Sequence, residues 1–147
     1  MVKTLPDKWI RKAVSEAIND IVVDSLVIPC FDQRVTRNVN SDIPMHYVLM
    51  TTQSNEVDKN NKCEWFWESQ ILLDIFTSYD APGNPGSRLL ADNILEKVKD
   101  QLLGFTLDVG SDLEIITQTM SFPSDISTTI KKENVFRKFL RLELLIN

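Results

Sequence analysis

The sequence contains few of the residues on which metal sites and many enzymes depend. Its 147 residues include one histidine, two cysteines and four glycines. A zinc site needs several histidine and cysteine ligands at set spacings, which His46 and the widely separated Cys30 and Cys63 do not supply. We therefore expect no metal ion and no cofactor, and we interpret both cysteines as free thiols.

Positive charge and long apolar runs are also scarce. The chain has 16 lysine and arginine residues against 21 aspartate and glutamate residues, with a net charge of -5 and a pI near 4.9. A protein that binds the nucleic-acid backbone needs a basic surface, so this composition disfavours direct binding of DNA or RNA. No apolar run approaches the length that spans a bilayer, and the first residues do not resemble a signal peptide. We expect a protein that is made in the cytoplasm and has no membrane contact.

The sequence shows no nucleophile motif and no phosphate-binding motif. No serine or cysteine lies near His46 in a known catalytic pattern, so we predict no catalytic residues. The segment SYDAPGNPGSRLLAD, residues 78–92, is rich in proline and glycine, but it does not match a phosphate-binding or dinucleotide-binding loop. Pro85 removes an N–H group that a phosphate would use, whereas Ser87 can cap a following helix. We interpret the segment as a joint that turns a strand into a helix.

Apolar periodicity predicts two helices and four strands. Apolar residues recur at steps of three and four in the helices, and they alternate or are β-branched and aromatic in the strands. The predicted helices are residues 6–23 and 87–104, and the predicted strands are residues 46–53, 63–79, 112–120 and 134–146. The polar segments 54–62 and 121–133 are interpreted as mobile tips. This order predicts an α+β fold for a single domain over residues 1–147, with a mixed, largely antiparallel β-sheet of about four strands and two helices packed on one face.

Apolar residues on the outward side of the predicted strands are the most informative feature of the sequence. Two helices cover one side of a single sheet, and an apolar strand face without a cover commonly marks an interaction surface. The large residues that alternate with the predicted core residues of the second and last strands are Phe66, Leu72, Phe76, Phe139 and Leu145. We therefore predict an assembling protein rather than a catalyst, with these five residues at its interface. Asp74 lies on the same strand face, where water or a neighbouring chain could satisfy its charge.

The amphipathic first helix is followed by four characteristic segments: IPMHYVLMT, WFWESQILLDIFTSY, RLLADNILEKVKDQLL and FRKFLRLELLIN. The order and the residue patterns of these segments resemble those of the tail terminator, or tail completion, proteins of tailed bacteriophages. The resemblance implies a structural virion protein that forms a homo-oligomeric ring at the head-tail junction or at the end of the tail tube. The implied partners are portal, adaptor or tail tube proteins, and DNA would pass through the ring without specific binding. The negative net charge suggests an acidic inner surface along which DNA slides.

A second hypothesis remains open on the sequence alone. A small enzyme or ligand-binding domain could have a pocket near His46, Asp74 and the loop 80–87, if polar groups converge there in an apolar cleft. Replacement of His46 by alanine would then reduce activity or binding. A third hypothesis, an adaptor protein of the host, differs from the first only in its partners.

Overall fold

The computed structural model describes residues 5–32, 45–58, 66–80, 86–104, 113–130 and 133–147, which contain two helices and eight strands. The helices are α1 (Asp7–Ile18) and α2 (Arg88–Gly104). The strands are β1 (Ile21–Val23), β2 (Leu26–Ile28), β3 (Cys30–Phe31), β4 (His46–Asp58), β5 (Phe66–Asp80), β6 (Ile115–Ser121), β7 (Ile126–Ile130) and β8 (Glu133–Ile146). These elements confirm the predicted α+β class.

The first helix is shorter than the sequence predicts, and a hairpin follows it. α1 ends at Ile18 because Asn19 adopts an extended backbone, with ψ at 136°, and Asp20 a left-handed one, with φ at 55°. The β-branched residues that follow form β1, which pairs with β2 in an antiparallel hairpin. The turn residues Asp24 and Ser25 have φ values of 50° and 67°, as a tight two-residue hairpin turn requires. Local backbone geometry therefore overrides the apolar periodicity that continues past the end of the helix.

A six-stranded sheet contains the remaining strands. Its order is β3-β4-β5-β8-β6, and β7 also pairs with β8. The pair β3–β4 is parallel, and the other pairs are antiparallel. The sheet is therefore mixed and largely antiparallel, as predicted, but it has more strands than the predicted number of about four. β6 pairs with the second half of β8 and β7 with the first half, so two short strands share one edge of a long one.

Two stretches of strand lie in the segments that the sequence predicts to be mobile tips. β7 falls inside segment 121–133, where residues 126–129 are all exposed and therefore show no apolar alternation. β4 continues through residues 54–58, where its polar residues pair with those of β5. The prediction of a tip is wrong for both strands, because backbone pairing with a neighbour holds polar residues that no local pattern marks. Residues 59–62 lie outside the described residues.

Both helices pack on one face of the sheet and enclose the hydrophobic core. Alternate residues of the two central strands face the helices and are fully buried. They are Ile71, Leu73 and Ile75 of β5 and Leu140, Leu142 and Ile146 of β8. The helices contribute Ile10, Val14 and Ile18 of α1 and Ile94, Val98 and Leu102 of α2. Each such side chain stabilises the fold by about 1.5–3 kcal/mol relative to an exposed position.

The proline- and glycine-rich segment 78–92 is the joint that the sequence predicts, because β5 ends within it at Asp80 and α2 begins within it at Arg88. Gly86 has a φ of 73°, and a Cβ atom at this position would overlap the ring of Tyr79. Ser87 Oγ accepts a hydrogen bond from the Leu89 N–H at 3.0 Å, which caps the first turn of α2 as predicted. Residues 81–85 of the joint lie outside the described residues.

Candidate interaction surface

The side of the sheet that faces away from the helices contains all five predicted interaction residues. We call this side the open face. The alternation of β5 and its pairing with β8 place on it Phe66, Leu72, Phe76, Phe139 and Leu145. All five side chains are half-buried, whereas their neighbours on the helix side, such as Leu73 and Leu140, are 0% exposed. The geometry therefore brings the five residues to one surface, and their role as an interface stays a prediction.

An ion pair lies near the middle of the open face. Asp74 on β5 is 1% exposed, and its two carboxylate oxygens accept hydrogen bonds from Arg137 Nε on β8 at 3.0 Å and 3.3 Å. Arg137 Nη2 also donates to Asp74 Oδ2. These hydrogen bonds to Asp74 raise the pKa of Arg137 above its ordinary value, because they favour the charged guanidinium. The charge of Asp74 is thus satisfied within the chain rather than by water or a neighbour.

Aromatic rings extend the open face on both sides of this ion pair. Phe76 stacks on Tyr47 of β4 with 4.8 Å between ring centroids, and Tyr47 meets Phe31 of β3 edge-on at 5.6 Å. On the other side, the Arg137 guanidinium carbon lies 5.3 Å from the centroid of the Phe139 ring. Such a contact between a cation and an aromatic face is attractive. Aromatic residues and arginine are the types that most often dominate binding energy at protein interfaces.

The sequence reasoning missed four residues of the open face: Phe31, Tyr47, Arg137 and Arg141. The alternation of the last predicted strand could have identified Arg137 and Arg141, because they lie two residues on either side of Phe139. Phe31 reaches the surface only through the parallel pairing of β3 with β4, which no local pattern indicates. Tyr47 follows from the register that sets it opposite Phe76.

Charge divides the open face into two halves. Arg141 lies opposite Leu72 in the strand register, is half-buried, and has no hydrogen bond or ion pair with the residues that the structure describes. Towards the end of β8 the face becomes acidic, and Glu68 and Glu143 line an open cavity of about 280 Å³. The half with Phe76 and Phe139 is therefore basic, because Asp74 offsets Arg137 and Arg141 adds a positive charge, and the half with Glu68 and Glu143 is acidic.

His46, the centre of the second hypothesis, has a structural contact. Its Nδ1 atom accepts a hydrogen bond from the Ser78 N–H at 3.4 Å, and its ring centroid lies 5.4 Å from that of Tyr79. Ser78 Oγ in turn donates to Glu133 Oε2 at 3.0 Å. A second open cavity of about 430 Å³ lies beside α1, and neither this cavity nor the one on the open face is lined by His46. The pocket of the second hypothesis, near His46 and the loop 80–87, stays a prediction, because residues 81–85 lie outside the described residues.

Across the described ranges, no group of three or more histidine, cysteine, aspartate and glutamate side chains could hold a metal ion. No helix within these ranges is long and apolar enough to cross a membrane. Cys30 is a free thiol, and burial together with the nearby carboxylate of Asp32 raises its pKa to about 12. Cys63 lies outside the described residues.

Comparison with known proteins relates the chain to others through its fold and not through its sequence. No protein-family model matches the chain, and no curated protein matches it. Solved structures do match, and one of them is a chain of the virion of a native gene transfer agent particle. That similarity has a TM-score of 0.50 with 12% sequence identity, and it covers 95% of this chain and 91% of the other. The two chains share a fold over nearly their whole lengths.

Proposed function

We propose that this protein is a structural component of a phage-related virion, which forms a ring at the head-tail junction or at the end of the tail tube. The observation that carries the proposal is the common fold, over nearly the whole of both chains, with a chain of a gene transfer agent virion. The resemblance of the sequence segments to tail terminator proteins supports the more specific position. The proposal assigns no catalytic residue.

The open face supports a role in assembly. It combines the half-buried rings of Phe76 and Phe139 with Arg141, which has no charged partner among the described residues. A monomer gains little from such a surface, whereas a neighbouring subunit that covers it would remove apolar area from water. Subunits of a ring repeat one contact between two different surfaces, and the ring closes when the rotation per subunit divides a full turn. Portal, adaptor or tail tube proteins would then contact the ring from above and below, while DNA passes through it.

The first experiment is a measurement of the solution mass by light scattering, with negative-stain images of any large species. We expect a closed ring. The second is a deletion of the gene in cells that produce the particles, which should yield unjoined heads and tails or tails of abnormal length. Complete, infectious particles that lack this protein would contradict the proposal.

A substitution on the open face links the ring to this surface. Phe76→Glu should abolish the ring and leave a folded monomer, because a carboxylate in a covered apolar interface loses its hydration. Since Phe76 also stacks on Tyr47, the variant needs a check of its fold by circular dichroism. Thr128→Glu, at an exposed position of β7, is the control and should leave the ring intact.

A further inference from the structure

The hairpin of β1 and β2 has an exposed apolar tip on a different surface of the molecule from the open face. Its inner residues Ile21, Val23 and Ile28 belong to the core that the helices enclose. Its outer residues Val22 and Val27 lie directly opposite each other in the register, and each is 59% exposed. Leu26 at the turn is 42% exposed. We call Val22, Leu26 and Val27 the hairpin knob.

Several contacts hold the hairpin knob in place. The two turn residues both have left-handed backbones, which fixes a tight turn. Asp24 Oδ2 accepts a hydrogen bond from Asn93 Nδ2 of α2 at 3.0 Å, which ties the turn to the helix. At the base, Asn19 Oδ1 accepts a hydrogen bond from the Cys30 N–H at 3.1 Å. β-branched side chains on a fixed backbone lose little conformational entropy when they dock.

The charges beside the hairpin knob and on the open face are complementary. Asp20 lies immediately before β1, two residues before Val22 of the knob. It is exposed and makes no hydrogen bond or ion pair with the described residues. Arg141 on the open face likewise has no partner among them, and it lies beside the apolar Leu72. Each surface therefore has an apolar patch beside a charge without a partner among the described residues, and the charges of Asp20 and Arg141 have opposite sign.

We propose that the hairpin knob of one copy docks on the open face of the next copy, with Asp20 of the first facing Arg141 of the second. This inference rests on the proposed ring and names the two surfaces that form it. Every copy has both surfaces, so the contact repeats from one subunit to the next without a second kind of protein. The two surfaces differ from each other, as the contact between neighbours in a ring requires.

The test uses two variants that each damage one of the two surfaces. Val27→Lys places a charge on the hairpin knob, where it faces the basic half of the neighbour's open face. Leu72→Lys places a charge on the open face and leaves the knob intact. We expect the wild-type chain to assemble, each variant alone to remain monomeric, and an equal mixture of the two to form one-to-one dimers by light scattering. The dimer forms because one intact knob meets one intact open face, while the second contact sets two lysines against each other.

Two controls accompany this test. Ile116→Lys changes an equally apolar side chain on β6 that is 47% exposed, and it should assemble like the wild-type chain. Thermal unfolding of every variant separates a lost contact from a lost fold. Assembly of the Val27→Lys variant, or a mixture that stays monomeric although both variants are folded, overturns the inference. Loss of assembly in the Ile116→Lys variant alone would instead favour pairing of sheet edges between copies.

The proposed contact between Asp20 and Arg141 is tested separately, through the strength of association at low and high salt. Asp20→Asn keeps a residue type that tolerates the left-handed backbone, and it should weaken association about 2- to 5-fold at low salt. The effect should shrink at high salt and vanish when Arg141→Gln is already present. A wild-type chain that stays monomeric at all concentrations overturns the inference, whereas the proposed function stands or falls with the presence of the protein in particles.

Discussion

Asp74 and Arg137 lie on the two central strands of the sheet and form an ion pair on the open face, where the side chain of Asp74 is 2% exposed and that of Arg137 34%. The pair lies between the aromatic stack of Phe76 and the ring of Phe139. It therefore positions a cation at the centre of an aromatic surface. The two partners differ in their access to water, and this difference determines how each responds to replacement.

Replacement of Arg137 should destabilise the fold more than replacement of Asp74. Arg137→Met leaves a buried carboxylate without a cation, and we expect a loss of about 3–5 kcal/mol. Asp74→Asn leaves a guanidinium that water still reaches, and we expect a loss of about 1–3 kcal/mol. Urea unfolding of both variants at neutral pH measures the two losses. Equal losses would show that water reaches both groups to the same extent.

Neighbouring residues of β8 should separate stability from assembly. Leu140→Ala removes a side chain that is 0% exposed in the core, and we expect a loss of about 2–5 kcal/mol. Phe139→Ala changes the half-buried side chain on the open face, and it should destabilise the monomer less but reduce assembly more. Denaturant unfolding and light scattering on the same two variants make the comparison. A Phe139→Ala variant that assembles fully would remove this residue from the interface.

Gly86→Ala should be strongly destabilising. Alanine at a φ of 73° is strained, and its Cβ would overlap Tyr79 and lie 2.9 Å from Phe136 Cε2. We expect a loss of about 2 kcal/mol or more from the combined backbone strain and overpacking. Ser87→Ala is the matched control in the same joint, and it should cost about 1 kcal/mol through the lost helix cap. Similar losses for the two variants would contradict the close approach at Gly86.

Because of Cys30, the free energy of unfolding should fall as the pH becomes alkaline. Its pKa is raised from 9.0 to about 12, by burial first and by the carboxylate of Asp32 second. The unfolded chain therefore releases this proton at a lower pH than the folded chain does. The resulting stability is fully present below pH 9 and is lost as the pH rises towards 12, at up to about 1.4 kcal/mol per pH unit.

The measurement for Cys30 compares two chains that both contain Cys63→Ser, so that they differ only in the Cys30 thiol. Between pH 9 and pH 12, the chain with Cys30 should lose more stability in urea unfolding than the chain with Cys30→Ala. Tyrosine and lysine titration affects both chains alike and cancels in the comparison. Parallel curves over this range would show that the thiol is not shielded.

The strong apolar periodicities in the sequence predicted the elements that contain the core. α2 and β8 lie where the sequence places them, and the alternation in β5 assigns its residues to the correct faces. The weaker elements were not predictable in the same way. β1 falls within the predicted helix, because Ile21 and its neighbours continue the helical spacing of apolar residues, and β2 lies beyond the predicted end of that helix. β7 was assigned to a tip, because its exposed residues have no alternation.

The sequence by itself determined the class of fold, the joint between β5 and α2, and the set of large residues that do not belong to the core. These features follow from steric preferences and from apolar spacing, which act over a few residues. Only the tertiary structure decided that Arg137 satisfies Asp74, that Phe31 and Tyr47 join the open face, and that the hairpin knob projects from another surface. Those relationships depend on strand register and on contacts between residues far apart in the chain, because a shift of one residue would place each side chain on the opposite face.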